Sequence, residues 1–226
     1  MQSSARIKLM ERHRRIKHEP LLPVNIAVCI LIGLQIAISD KLTLGPKYML
    51  AAIEAVLLIG VTLSYPNNIL RSQTLRRGFS LLLIIVVTLT NVASLALVVT
   101  FLIEGRSVDG HTLILSALAI YLTNILIFGL WYWEMDSPGL SGYVEPKRGP
   151  DFLFPQMSTK HIDVATEGWT PQFFDYLYIS ITNASAFSPT DTMPLTKRVK
   201  LIMSLQSLTS FITVALVTAR AVNILR

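Results

Sequence analysis

The feature that most constrains this sequence is a run of 25 residues, positions 79 to 103, that contains no charged side chain. A helix of that length rises about 37 Å, which exceeds the ~30 Å hydrocarbon core of a bilayer. Further apolar runs occupy residues 21–39, 48–64, 112–133 and 199–225. Only helices or closed barrels satisfy the backbone in lipid, and these continuous runs do not alternate as barrel strands do. The sequence therefore predicts an all-α integral membrane protein with five transmembrane helices.

Composition agrees with this prediction and excludes several classes of protein. Apolar residues make up 52% of the 226 positions and charged residues 15%, against about a quarter charged in soluble domains. A large soluble domain and a disordered chain are both excluded. The single cysteine, Cys29, rules out an intramolecular disulfide framework and any multi-cysteine zinc or iron–sulfur site, and we expect it to be a small core residue. No metal-ligand cluster or nucleophile–base pair converges, so we expect neither an enzyme nor a cofactor.

The basic residues are distributed unequally between the two predicted faces. Fifteen of the twenty Lys and Arg lie in residues 1–20, 67–77, 134–170 and 194–200, as six, three, three and three. By the positive-inside rule these segments are cytoplasmic, so the N-terminus lies in the cytoplasm and five spans place the C-terminus outside. We expect a plasma or inner membrane. The basic segment 1–20 is then a topology signal in contact with anionic lipid headgroups, rather than a nucleic-acid-binding arm.

A short segment before the last apolar run does not fit a transmembrane helix. Thr170 and Pro171 form a helix-start signal, with Thr as the N-cap and Pro at the first helical position. The predicted helix, residues 171–183, is about 20 Å long and too short to cross a bilayer. A loop of small and polar residues, 184–191, follows it. A short helix followed by a polar loop predicts a re-entrant hairpin, which is tolerated at membrane depth only where protein or a water-filled cavity surrounds it.

The order of these elements resembles the pore module of the potassium-channel-like, pore-loop cation channel superfamily. Residues 180–196 align without gaps with the family's pattern, and Ser180, Asp191, Pro194 and Thr196 stand where it commonly has Ser, Asp, Pro and Thr. The resemblance covers about half of the chain, residues 112–226, and follows a three-helix membrane region, residues 21–103. It implies an outer helix at 112–133, a loop at 134–170, a re-entrant helix at 171–183, a filter-like loop at 184–191 and an inner helix at 197–225.

The filter-like loop departs from the family's filter. Residues 186–190 read Ala-Phe-Ser-Pro-Thr where the family has Thr-Val-Gly-Tyr-Gly, so both glycines that permit the alternating carbonyl conformation are missing. Potassium selectivity is therefore not expected. The resemblance implies a homo-oligomer, a tetramer, that passes monovalent cations. The candidate filter residues are Asn183, Ser185, Ala186, Phe187, Ser188, Pro189, Thr190 and Asp191.

The direction of the hairpin is a second departure. The count of basic residues makes this loop enter from the cytoplasmic side, as in ionotropic glutamate receptors, whereas in potassium channels it enters from outside. Either the inversion is real or one span has been miscounted. The span at residues 48–64 is the weakest candidate, because it is short and contains Glu54.

Several polar residues lie within the predicted spans. Gln206, Ser210, Thr213 and Arg220 fall on one face of the last helix, where they line a pore or form a subunit interface held by side-chain hydrogen bonds. Glu54 is the one acid inside a span, and intramembrane acids are functional candidates. It can bind or relay a proton or cation, pair with Arg220, or be protonated and hydrogen-bonded to Asn91 or Asn124.

Two functional hypotheses follow from the sequence. The first is a homo-oligomeric, pore-loop ion-channel-like protein that passes cations without potassium-type selectivity. The second is a non-conducting membrane scaffold or lipid-interacting protein that retains the channel-like hairpin. Small and hydroxyl residues suit both hypotheses, because they line pores and also pack helices together in membranes.

Overall fold

The computed structural model of the protein describes residues 22–43, 47–63, 73–104, 109–136, 139, 149–158, 169–186 and 191–224, and this part of the chain is mostly helical. Each of the five predicted apolar runs contains a long helix, and the predicted short helix is also present. In chain order the helices are α1 (Leu22–Ala37), α2 (Lys47–Leu63), α3 (Gln73–Ile103), α4 (Gly110–Asp136), α5 (Pro155–Ser158), α6 (Phe173–Ser185) and α7 (Lys197–Ile224).

Three of these helices are long and apolar enough to cross a membrane: Arg77–Ile103 within α3, Gly110–Asp136, and Lys197–Arg220 within α7. The helices α1 and α2 are apolar but shorter, at 16 and 17 residues. A protein with three such helices is compatible with an integral membrane protein. The five-span topology and the orientation of the termini stay predictions, and the segment 1–20 lies outside the described residues.

The helix α4 is the centre of the bundle. It packs against α1, α3, α6 and α7, whereas α2 packs against α1 and α3 at the edge. Two apolar clusters follow its length. One contains Leu113, Ile120 and residues of α1 and α3, and the other contains Ile127, Leu130 and the aromatic residues near the end of α4. The helix that is central in the fold is thus buried near both of its ends.

The helix α6 lies against α4 at short range. A Cβ atom placed on Gly129 of α4 would be 3.2 Å from the Cα atom of Leu177, so glycine is the residue that permits this approach. The side of α6 that faces the bundle carries Phe173, Tyr176, Ile179 and Asn183, all buried. The opposite side exposes apolar residues, including Phe174 and Tyr178. This helix is therefore integrated into the bundle along one face only.

The connection between α4 and α6 contains more structure than the sequence predicts. Residues Phe152–Leu153 (β1) pair antiparallel with Met193–Pro194 (β2), which immediately precede α7. An aromatic cluster packs beneath this two-stranded ribbon, with ring-centroid distances of 5.4–6.2 Å. Its members are Tyr132, Phe152, Phe154, Trp169 and Tyr176. The ribbon ties the start of α7 to the chain that follows α4.

Four local predictions differ from the structure. Thr170 is not the N-cap of the short helix: α6 begins at Phe173, two residues after Pro171, because the Asp175 carboxylate accepts the Gln172 backbone N–H at 2.7 Å and fixes the start there. The same helix ends at Ser185 rather than at residue 183, so the first two residues of the predicted filter-like loop are helical. The outer helix does not stop at residue 133 but continues to Asp136. Cys29 is exposed rather than part of the core.

Candidate functional site

The candidate site is the junction at which the C-terminal half of α6 meets α4 and α7. Asn183 is buried there, and its side-chain amide donates hydrogen bonds to the Gln206 Oε1 atom at 2.8 Å and to the Met203 carbonyl at 3.0 Å. The Tyr132 hydroxyl donates to the same Gln206 oxygen at 2.5 Å. Ser207 donates to the Asn183 Oδ1 atom at 3.1 Å. The end of the short helix is thereby bonded to α7 through side chains.

Ser180, one turn earlier on α6, extends this network. The Gln206 amide donates to the Ser180 carbonyl at 3.0 Å and to its hydroxyl at 2.6 Å, and the hydroxyl donates to the Ile125 carbonyl of α4 at 2.6 Å. Ser180 and Gln206 are both fully buried. Because buried polar groups are costly unless they are hydrogen-bonded, this network fixes α6 in one position between its neighbours.

The predicted polar stripe of the last helix continues toward its C-terminus. Ser210 accepts a hydrogen bond from the Asn124 amide of α4 at 2.8 Å, and Thr213 donates to the carbonyl of Thr209 in its own helix at 2.8 Å. Gln206, Ser210 and Thr213 are at most 1% exposed within a single chain. The face of α7 that is exposed carries apolar residues instead: Leu201, Leu205, Leu208, Phe211 and Val214.

The candidate filter residues are only partly within the described chain. Asn183 is buried in the network, whereas Ser185, Ala186 and Asp191 are exposed. The other four, Phe187, Ser188, Pro189 and Thr190, lie outside the described residues. The C-terminal end of α6 carries a partial negative charge of about half an electron, so the exposed hydroxyl of Ser185 lies at an end of the helix that favours cations.

Two predicted charged residues lie away from this junction. Arg220, near the end of α7, is half-buried, and its Nε atom has no hydrogen-bond partner among the described residues. Glu54, on α2, is fully buried, and neither of its carboxyl oxygens has a partner in the described part of the chain. The alternatives in which Glu54 hydrogen-bonds to Arg220, Asn91 or Asn124 are therefore not seen there.

A buried charged cluster at the base of α7 was not predicted from the sequence. Asp151, fully buried, accepts the Arg198 guanidinium in a two-point contact, with Nε at 3.1 Å from Oδ1 and Nη2 on Oδ2, and it accepts the Thr196 hydroxyl at 2.5 Å. The same guanidinium donates to the Met135 carbonyl at 3.0 Å. These bonds connect the start of α7 to the end of α4.

Asp136 completes the cluster. Its Oδ1 atom accepts the backbone N–H groups of Asp151 and Phe152, and its Oδ2 atom accepts the Tyr176 hydroxyl of α6 at 2.7 Å. Burial, with the adjacent Asp136 charge, raises the pKa of the Tyr176 phenol well above its ordinary value, so the hydroxyl remains a donor. Sequence offered one signal for this cluster, namely acids directly after an aromatic helix end. It offered none for Asp151 or for the pairing of Asp151 with Arg198.

The comparisons with known proteins add no relative. A scan against protein-family models, a search of curated proteins and a search of solved structures each found no match. Within the described residues, no group of three or more His, Cys, Asp and Glu side chains is placed to hold a metal ion. Function is therefore inferred from the geometry of the junction itself.

Proposed function

We propose that this chain is a pore-loop, channel-like membrane protein with five spans, which assembles as a homo-oligomer and passes monovalent cations without potassium-type selectivity. One observation carries the proposal: a 13-residue helix, α6, is bonded by buried side chains between two helices long enough to span a membrane. A helix about 20 Å long reaches only part of the way across a bilayer. Its exposed end would then present Ser185 and Asp191 at membrane depth.

The conducting path belongs between copies of the chain rather than within one copy. The polar stripe of α7 is buried inside the subunit at Gln206, Ser210 and Thr213, so it does not supply a polar pore wall. The exposed face of α7 would supply it, and that face is apolar at Leu201, Leu205 and Leu208. Apolar constrictions can gate by losing water, so such a pore conducts only when it is wide enough to hydrate.

The same burial favours a second candidate, a non-conducting membrane scaffold. Polar residues that bond helices together within one chain are explained by stability alone. In that case the hairpin has only a structural role, and the exposed apolar faces of α6 and α7 contact lipid. A flux measurement separates the two candidates.

Purified protein in liposomes should pass Na⁺ and K⁺ at rates that differ by less than about tenfold, since the loop has no filter glycines. Asp191→Asn should lower that flux, because it removes the exposed acid at the mouth. The matched control is Glu104→Gln, which changes an exposed acid directly after the C-terminal end of α3. It should leave the flux unchanged. An oligomeric preparation that passes no cation at any applied potential would support the scaffold instead.

The re-entrant arrangement has its own test, by labelling with a membrane-impermeant thiol reagent in a Cys29→Ala background. Gln172 and Lys197 are exposed and flank the hairpin. If α6 turns back, Gln172→Cys and Lys197→Cys are labelled from the same side of the membrane. Labelling from opposite sides would mean that the segment crosses, and would remove the basis of the channel proposal.

A further inference from the structure

A small polar cavity lies between α1, α2 and α3, away from the α6 junction. Its polar lining consists of Gln35, Thr43, Thr90, Asn91 and Ser94. Its volume of about 10 Å³ accommodates one occupant the size of a water molecule. Gln35 donates to the Thr90 hydroxyl at 3.1 Å, which connects α1 and α3 across the cavity. Polar side chains in such number are unusual between helices that are otherwise apolar.

One of these polar groups has no partner in the described chain. Asn91 is 3% exposed, it lines the cavity, and its side-chain oxygen accepts no hydrogen bond from any described residue. An amide oxygen that is buried without a donor costs free energy, and it is a favourable ligand for a hard cation. The cavity is thus lined by an oxygen that needs an electropositive occupant.

Glu54 supplies a carboxyl group next to this cavity. It lies beside Gln35, and it is one helical turn from Leu50, which lines the cavity from α2. Both of its oxygens are buried and lack a described hydrogen-bond partner. A carboxylate in this position requires a counter-charge, since an unpaired buried charge is strongly unfavourable.

Among the helices around the cavity, α1 and α3 place no described basic side chain next to Glu54, and the basic position of α2 is Lys47, two turns away. In α1 the only titratable residue is Cys29, which is exposed. In α3 the charged residues, Arg76 and Arg77, are confined to the N-terminal end, more than three turns before Thr90. A small bound cation can supply the counter-charge that a Glu54 carboxylate needs.

We propose that Glu54 and the oxygens of Gln35, Asn91 and Ser94 form a site for a monovalent cation such as Na⁺ or K⁺. One carboxylate with neutral amide and hydroxyl oxygens matches a single positive charge, whereas Ca²⁺ sites use more ligands and commonly several carboxylates. The bound ion joins three helices and stabilises their packing. This inference is independent of conduction through the α6 junction.

The test is the thermal stability of the purified full-length protein in detergent, at one fixed alkaline pH, in NaCl, KCl or choline chloride at equal ionic strength. The melting temperature should rise in a saturable manner with Na⁺ and with K⁺ but not with choline, because a ligand that binds only the folded state stabilises it. Glu54→Gln should remove the dependence on Na⁺. Asn91→Leu, which leaves the carboxyl in place, should shift the half-saturating Na⁺ concentration upward at least tenfold.

Two matched controls and a second measurement complete the test. Glu104→Gln removes an exposed acid at the end of α3, and Ser204→Ala removes an exposed hydroxyl on α7; both should keep the Na⁺ response. Equilibrium binding of ²²Na⁺ should show one site per chain in the wild type and none in Glu54→Gln. Equal melting temperatures in the three salts, or a Na⁺ response that persists in Glu54→Gln, would overturn the proposal and leave a proton as the neutralising species.

Discussion

At the residue scale, Gln206 is the point where the buried network converges. It accepts hydrogen bonds from Tyr132 and Asn183 and donates two to Ser180. Its amide has both a donor and an acceptor end, and a residue with only one of these functions cannot replace it. This is why glutamine, rather than an apolar residue, stands at position 206 of α7.

Gln206→Leu should lower the free energy of unfolding by about 1–3 kcal/mol, because the substitution leaves buried donors on Tyr132 and Asn183 with fewer acceptors. Ser204→Ala, on the exposed side of the same helix, should change it by less than about 0.5 kcal/mol, since the Ser204 hydroxyl bonds only to the Lys200 carbonyl. Reversible unfolding in mixed micelles measures both. Equal stability of the two variants would show that the network contributes nothing.

Arg198 is the second residue with a specific role. Arg198→Met removes the two-point contact with the buried Asp151 and should cost about 1–3 kcal/mol, less than for a fully buried pair because the arginine side chain is 39% exposed. Arg198→Lys should restore only part of the loss, since an ammonium group lacks the planar fork. Lys200→Met, two residues away and exposed, is the control. The same unfolding assay applies, and indistinguishable Met and Lys variants would contradict this role.

At the scale of elements, the contact between α4 and α6 depends on the absence of a side chain at Gly129. Gly129→Ala places a Cβ atom 3.2 Å from the Leu177 backbone and should cost about 1–3 kcal/mol, with faster hydrogen exchange of the α6 amides. Gly33→Ala meets nothing within 4 Å and should instead stabilise α1 by about 0.5–1 kcal/mol. Unchanged exchange in Gly129→Ala would mean that α6 is not held at this point.

At the same scale, the helices could be predicted from the sequence, whereas the contacts between them could not. Apolar runs of lipid length located every long helix, although two of these runs contain charged residues such as Glu54 and Arg220. The start signal at residues 170–171 and the polar loop that follows located the short helix. The spacing of Gln206, Ser210 and Thr213 placed them on one face but did not say which helix covers it. The pairing of Asp151 with Arg198 spans 47 positions and depends on a ribbon of two residues per strand, for which no periodic pattern exists.

At the scale of the whole molecule, the open question is whether α1 and α2 cross the membrane together with the three longer helices. Three or five spans both place the termini on opposite sides, so a reporter at the C-terminus does not distinguish them. The connection between α1 and α2 does. Lys41 lies in that connection and is exposed.

We expect Lys41→Cys, in a Cys29→Ala background, to be labelled by an impermeant reagent only from outside the cell, because five spans put this connection opposite the basic N-terminal segment. Gln172→Cys, on the predicted cytoplasmic side, is the control and should require permeabilised cells. Labelling of both positions under the same condition would indicate three spans, with α1 and α2 on one face of the membrane.

The two ends of the polar loop are held by different means. On one side Asn183 is bonded to α7, and on the other Met193–Pro194 pairs with β1 while Thr196 bonds to Asp151. Such a frame tolerates exchange of the residues between its fixed stems. The residues at positions 187–190 can therefore be substituted, in evolution or by design, while the surrounding helices keep their register.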